Sequence, residues 1–345
     1  MYTISFFDTK PYDREFFDKE NEKYGFRMIY HEEKLNKKTA VLADGSDAVC
    51  AFVNDDIGEE TLKILDRQNI HVVAMRCAGY NNVDFKTAYG KTHIVRVPAY
   101  SPYAVAEHAM GMLLTLNRKL HRAYNRVREY NFSLNGLTGF DIHGKTIGVI
   151  GTGKIGRTFM DICKGFGVTI LAYDPYPIKD SDICYVELDE LFRRSDIISL
   201  HCPLTKDSYH IINKDSLAKM KDGVYLINTS RGALIDSEDL LEAIKDQKVG
   251  AAALDVYEEE ADLFYEDNSN TIIQDDVLAR LISMPNVLVT SHQAFLTREA
   301  LGNIAETTLH NLNEYFNGEF MENEVCYHCL KDSSECRKNE RKRCF

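Results

Sequence analysis

At 345 residues, 44% hydrophobic and 27% charged, the chain has the length of about two globular domains. A net charge of −12 argues against wholesale nucleic-acid binding, which rewards basic surface, but leaves room for an anionic substrate held by a local arginine. No apolar run approaches the ~20 residues of a membrane span, residues 1–8 lack a basic n-region and a cleavage site, and a cytoplasmic location without membrane contact is expected.

In chain order, the first hundred residues alternate short β-like runs (3–7, 48–53, 72–75, 94–96) with helical ones (16–24, 59–68), predicting a small α/β unit. Pro98 and Pro102 flank an extended stretch where the chain is expected to cross between domains. One long amphipathic helix is predicted over 103–130, either a core helix or a subunit interface. From Gly144 the strands become fully apolar: 146–150, 168–173, 197–200, 224–228, 251–254 and 287–290. Continuous Val/Ile/Leu runs between helices imply a parallel sheet covered on both faces, with ligands beyond the carboxyl ends of its strands. A last helix over 299–317 is expected to return to the first domain. The fold class is therefore α/β. Of the nine cysteines, Cys50, Cys77, Cys163, Cys184 and Cys202 lie in apolar segments and are expected to be reduced, packed thiols.

The most specific motif follows the strand at 146–150. Gly151-Thr152-Gly153-Lys154-Ile155-Gly156 leads into a helix over 157–166, a second strand and then Asp174. Gly151 allows the tight turn, Gly153 lets the backbone approach a pyrophosphate, and Gly156 lets helix and strand pack closely. The N-terminus of the helix offers N–H groups to the phosphates, and Lys154 and Ile155 are taken with the turn as cofactor-binding. Asp174, about 20 residues on, is placed to accept both ribose hydroxyls and to repel the 2′-phosphate of NADP. The predicted cofactor is NAD.

The residues just after the other strands add chemistry. Cys202-Pro203 follows the strand at 197–200, Thr229-Ser230-Arg231 that at 224–228, Asp255 and Glu258-Glu259-Glu260 that at 251–254, and His292 that at 287–290. A 2-keto acid needs a planar bidentate cation for its carboxylate and a proton donor for its ketone oxygen, work suited to an arginine and to a histidine beside a carboxylate. On spacing alone any of the three glutamates could stand beside His292, and a structural ion pair or a solvated acidic run accounts for the same residues.

Together these motifs, with Arg76-Cys77-Ala78-Gly79, the segment 97–102, Glu107-His108-Ala109, residues 262–276 and Ser291-His292-Gln293-Ala294-Phe295, resemble the D-2-hydroxyacid dehydrogenase family, most nearly its bacterial fermentative D-lactate branch. The resemblance spans the first strand to about Val325. It implies two Rossmann-like domains. A doubly wound NAD domain would cover 101–297, and a smaller flavodoxin-like substrate domain 1–100 plus 298–330, with a cleft closing about hinges near Tyr100 and Ala294. It implies reversible reduction of pyruvate to D-lactate by NADH. Arg231 would bind the substrate carboxylate, His292 act as acid/base, and Glu260 pair with it. Asp174 would hold the adenosine ribose and Asp255 lie near the nicotinamide carboxamide. Cys202, Pro203, Ser208, Thr229 and Ser230 would line the cofactor. Ala78 and Gly79 would donate backbone N–H groups to the substrate carboxylate, and Tyr100 and Phe295 stand beside the substrate. A homodimer or homotetramer through the 103–130 region is also expected. The alternatives are a dehydrogenase for a longer 2-keto acid and an NADH-sensing corepressor-like binding protein.

The chain departs from that pattern after Val325. Cys326-Tyr327-His328-Cys329, with Cys336 and Cys344, has a spacing compatible with zinc but no second Cys-x₂-Cys pair, so no metal is expected. Residues 326–345, including the basic run 337–343, are predicted to form an exposed, mobile tail dispensable for turnover.

Overall fold

The computed structural model describes residues 1–260, 263–328 and 341–345. The chain forms two compact units, one of Met1–Ser101 with Thr297–Phe345 and one of Pro102–Leu296.

The first unit opens with β1 (Thr3–Phe6), α1 (Pro11–Asn21), β2 (Arg27–Tyr30), β3 (Ala48–Ala51), α2 (Glu59–Arg67), β4 (Val72–Met75), α3 (Phe85–Ala88) and β5 (His93–Val95). Helix α1 starts well before the predicted 16–24, because Pro11 supplies a helical φ at the first turn and the Asp13 carboxylate accepts the Lys10 N–H at 3.0 Å. Strand β2 carries no sequence signal: it is a partly exposed edge strand of four residues beginning with Arg27. The fully buried strands β3 and β4 were legible because both their faces are apolar.

The second unit contains α4 (Pro102–Arg118), α5 (Leu120–Arg128), β6 (Thr146–Ile150), α6 (Lys154–Lys164), β7 (Thr169–Tyr173), α7 (Leu188–Arg194), β8 (Ile197–Leu200), α8 (Lys214–Lys219), β9 (Val224–Asn228), α9 (Ser237–Lys245), β10 (Val249–Leu254), α10 (Asp276–Ser283) and β11 (Val287–Val289). Its six strands are all parallel, in the order β11-β10-β9-β8-β6-β7. Helices α4 and α6 bury Met112, Leu113, Phe159 and Met160 on one face of this sheet; Leu191, Leu217, Leu240 and Leu281 from α7–α10 fill the other. Each such side chain contributes roughly 1.5–3 kcal/mol by leaving water.

The long helix predicted over 103–130 is in fact two. Lys119 sits in the left-handed region at φ 52°, and buried Asn117 exchanges hydrogen bonds with the Phe140 backbone at 2.7 and 3.0 Å, anchoring the chain where α4 ends. The two readings of that segment then divide between the pieces. Helix α4 is a core helix, whereas α5 buries no residue and leaves Leu120, Tyr124 and Val127 exposed.

The chain returns through α11 (Arg298–Phe316), capped by the Thr297 hydroxyl, and β12 (Glu324–Val325). The first unit's sheet then reads β12-β5-β4-β3-β1-β2, parallel except for β12. Without that edge strand the order 2-1-3-4-5 is the flavodoxin-like doubly wound arrangement. Two residues of β12 are too few for any periodicity.

Of the tail expected to be exposed, residues 329–340 lie outside the described residues, and its two described ends are partly packed. Cys326 and Cys344 are buried, and Arg343 donates to the backbone carbonyls of Glu319, Glu314 and Tyr315. Phe345 stacks on His93 with ring centroids 4.1 Å apart. Cys329, Cys336 and the start of the basic run lie outside the described residues, and among the described residues no group of three or more His, Cys, Asp and Glu has a metal-binding arrangement. Of the five cysteines expected to be packed, Cys184 is exposed and the other four are buried.

Candidate active site

The sheet of the second unit reverses its strand order between β6 and β8, and the glycine turn sits there, at the carboxyl end of β6. Each glycine has its own reason. Gly151 adopts φ +98°, and a Cβ on it would lie 2.6 Å from the Cys202 nitrogen. A Cβ on Gly156 would lie 2.0 Å from the Gly151 carbonyl oxygen. The protein itself therefore forbids a side chain at both. Gly153 differs: a Cβ there would meet no atom within 4 Å. The space in front of Gly153 is left open, and Gly153 is also the N-cap of α6, with no side-chain oxygen to occupy the first-turn N–H groups of Lys154 and Ile155. A bare, open helix N-terminus of this kind fits a pyrophosphate.

Asp174 follows β7 beside this turn. Its Oδ2 accepts both the Thr152 N–H at 2.7 Å and the Thr152 hydroxyl at 2.9 Å, and its Oδ1 accepts the Tyr176 N–H. The carboxylate is thus fixed in orientation before any ligand arrives. Beneath the turn lies His201, whose N–H donates to the Ile150 carbonyl and whose Nε2 is 2.9 Å from the Ser199 hydroxyl. Burial lowers its pKa from 6.5 to about 3, so it is a neutral packing residue.

The loops after β8 and β9 are tied together: the Ser230 hydroxyl donates to the Cys202 carbonyl at 2.6 Å, and Ser208 donates to the Pro203 carbonyl at 2.7 Å. Among the described residues Thr229 Oγ1 is buried without a hydrogen-bond partner, an orphan polar atom at the position expected to line the cofactor. Arg231 follows, with Nη1 donating to the Ser230 carbonyl at 2.7 Å. Gly232 presses on the next loop so closely that a Cβ would lie 2.0 Å from the Tyr257 carbonyl carbon and oxygen. The loop that carries Arg231 is thereby packed, at Gly232, against the segment that leads to Glu260.

Of the three glutamates, the structure selects one. Glu260 Oε1 is 2.8 Å from His292 Nδ1, while its Oε2 accepts the Tyr257 N–H at 3.0 Å. Glu258 turns instead to His210, at 2.6 Å. The carboxylate on Nδ1 sets the tautomer with the proton there, and Nε2 makes no hydrogen bond among the described residues.

His292 itself sits in the left-handed region at φ 52°, costly for a non-glycine residue by ~1–2 kcal/mol. Asp255 holds it there. The Asp255 carbonyl accepts the His292 N–H at 2.7 Å, and its two carboxylate oxygens accept the Gln293 and Ala294 N–H groups, each at 2.9 Å. Burial pushes this carboxyl up, but hydrogen bonds from His108, Thr290 and Ala294 outweigh it and hold the pKa below 3.8. Asp255 is thus a loop anchor as well as a neighbour of the glycine-turn rim. Three contributors to this arrangement were missed from sequence. His108 reaches Asp255 at 3.3 Å from α4, Thr290 donates to Asp255 at 2.5 Å, and the Tyr265 hydroxyl donates to the His292 carbonyl at 3.0 Å. Separations of up to 147 residues leave no local signal for such pairs. Phe295 is buried just beyond the loop.

Ala78, Gly79 and Tyr100 lie on the first unit. The Ala78 carbonyl accepts Arg96 Nη1 at 2.7 Å, the Gly79 carbonyl accepts the Cys77 thiol, and the Tyr100 carbonyl accepts Asn303 Nδ2 at 2.6 Å. Their carbonyls are engaged within that unit.

Residues 110–294 match the model of the D-isomer specific 2-hydroxyacid dehydrogenase NAD binding domain. The chain is 52% identical over 326 residues to the D-lactate dehydrogenase of Escherichia coli strain K12, covering 93% of this chain and 99% of that one. Among solved structures, the pyruvate reductase of Chlamydomonas reinhardtii is 42% identical with a TM-score of 0.89, covering 94% of this chain and 98% of the other. A D-isomer specific 2-hydroxyacid dehydrogenase of Lactobacillus delbrueckii ssp. bulgaricus, in its NAD complexed form, is 26% identical with a TM-score of 0.79, covering 94% and 99%.

Proposed function

Because the chain belongs to the D-isomer specific 2-hydroxyacid dehydrogenases and carries their NAD binding domain, we propose that it reduces pyruvate to D-lactate, reversibly, with NADH as reductant. The observation that carries this reading is the hydrogen bond between Glu260 and His292 Nδ1, which leaves Nε2 available for a substrate oxygen.

The planar fork of Arg231 binds the substrate carboxylate in two parallel hydrogen bonds. His292, protonated, donates from Nε2 to the ketone oxygen as negative charge develops there, and in reverse takes the hydroxyl proton of lactate. Glu260 steadies the imidazolium and fixes the ring, as an oriented carboxylate does behind any histidine acid/base. NADH, when bound, supplies the hydride to the carbonyl carbon. Asp174 takes the adenosine ribose; Lys154 and Ile155 offer N–H groups to the phosphates; Cys202, Pro203, Ser208, Thr229, Ser230 and Asp255 flank the nicotinamide side. Ala78 and Gly79 complete the carboxylate's donors. Tyr100 and Phe295 crowd the side-chain end of the substrate, favouring a methyl group.

The protein is proposed to act in the cytoplasm as a homo-oligomer. In support, α5 and the residues after it expose Leu120, Tyr124, Val127, Tyr130, Phe132 and Leu134, a run of apolar side chains a monomer has little reason to display. Light scattering giving a 39.4 kDa particle would remove that part.

The test is NADH oxidation with pyruvate, 2-ketobutyrate, 2-ketoisocaproate and phosphohydroxypyruvate side by side. Fast turnover on pyruvate, with D-lactate and not L-lactate driving the reverse reaction, is the expected result. Preference for a longer acid keeps the mechanism and moves the substrate. Tight NADH binding without turnover of any of the four refutes the enzymatic reading.

A further inference from the structure

Outside the catalytic loops, the first unit brings two cysteines together from 18 positions apart. The Cys344 thiol hydrogen-bonds that of Cys326, and both residues are buried, at 3% and 5% exposure. Their meeting is not accidental to the packing around it. The Cys344 N–H donates at 3.0 Å to Glu324 Oε2, and Glu324 Oε1 in turn lies 2.5 Å from His93 Nδ1. On one side of Cys344, Arg343 is fixed by backbone carbonyls and lies over the Tyr315 ring; on the other, Phe345 stacks on His93 and meets Tyr89 edge-on. Glu324, Glu319, Glu314, Tyr315, His93 and Tyr89 thus hold the last three residues of the chain, with the Cys344 thiol against that of Cys326.

We propose that Cys326 and Cys344 are a redox-modifiable pair that closes to a disulfide and latches the chain end onto the sheet edge at β5 and β12. The oxidant is a small-molecule disulfide. One protein thiolate attacks it and displaces a small thiol, forming a mixed disulfide; the second protein thiolate then displaces the other small thiol and forms the Cys326–Cys344 bond. Two protein thiols are oxidised, the small disulfide is reduced to two thiols, and the two protons leave with them. Burial and the neighbouring Glu324 charge push the Cys344 thiol up, so the reduced pair is slow to react until the chain end lifts, and closure makes that lift impossible.

The experiment uses the full chain, incubated with glutathione disulfide, trapped by alkylation at low pH and mapped by peptide mass spectrometry. In the expected product Cys326 and Cys344 are cross-linked and neither carries glutathione, whatever the exposed Cys184 takes up, and dithiothreitol returns the chain to its starting mass. The variant Cys344→Ser should instead hold glutathione on Cys326, at least ~10-fold more than the unaltered chain does at equal time. A cross-link from either residue to Cys329 or Cys336 would overturn the proposal. So would zinc found by native mass spectrometry and released together with all four thiols by a chelator, or a chain whose thiols stay unchanged after prolonged incubation.

Discussion

Replacing Gly153 by alanine separates cofactor binding from folding. A Cβ at this position meets no protein atom within 4 Å, and the backbone, at φ −62° and ψ −170°, is open to any residue. Alanine is a poorer N-cap than glycine by about 0.5–1 kcal/mol, but it loses less chain entropy on folding, a gain of about 0.4–1 kcal/mol. The two nearly cancel, so thermal stability without ligand should stay within about 0.5 kcal/mol of the unaltered chain. The methyl would stand where a pyrophosphate needs to approach the helix N-terminus, and forcing a methyl into an occupied space costs about 1–3 kcal/mol, or roughly 5- to 150-fold in affinity. The assay is NADH fluorescence titration beside a thermal melt. Gly156→Ala provides the contrast: its Cβ would sit 2.0 Å from the Gly151 carbonyl oxygen, so the melt itself should drop. An unchanged NADH Kd in Gly153→Ala would refute the assignment of this turn to the phosphates.

His292→Ala should lower turnover at least ~10²-fold while leaving NADH affinity in place, since the side chain acts only on the substrate oxygen; an unaltered kcat would remove His292 as the acid. His201 makes a pH prediction. Its folded pKa of about 3 lies below the unfolded 6.5, so the unfolded chain takes up the proton first. The stability it confers is complete above pH 6.5 and is lost as pH falls toward 3, by about 1.4 kcal/mol per unit, or roughly 2 kcal/mol at pH 5. Urea midpoints at pH 7.5 and 5 should show a fall that His201→Gln reduces; an equal fall in both would clear His201 of the effect.

What could be read from the sequence follows where the information is local. The strands of the second unit are apolar on both faces, so β6, β8 and β9 were visible within a residue or two, and so were the catalytic candidates that follow them. Glu260 could not be told from Glu258 by spacing, because the choice is made by the Tyr257 N–H and by His210, which lie in the loop's own turn and across the site. The break at Lys119 escaped for the same reason: the hydrogen bonds that mark it come from Phe140. The burial of Cys326 and Cys344 left no trace in a polar, charged composition, because residues 343–345 are held by backbone carbonyls that accept Arg343 and by an aromatic partner, His93, more than two hundred residues earlier.

The discontinuity of the first unit has a consequence for how the molecule is made. Its sheet is finished by β12, and α11 belongs to the same unit, yet both emerge about two hundred residues after Ser101. At a synthesis rate of about 10 residues per second, the opening strands wait roughly 20 seconds on the ribosome for their own closing piece. The second unit, one uninterrupted run of chain, can complete its sheet in that interval. The part of the protein that is written first is therefore the part that is finished last.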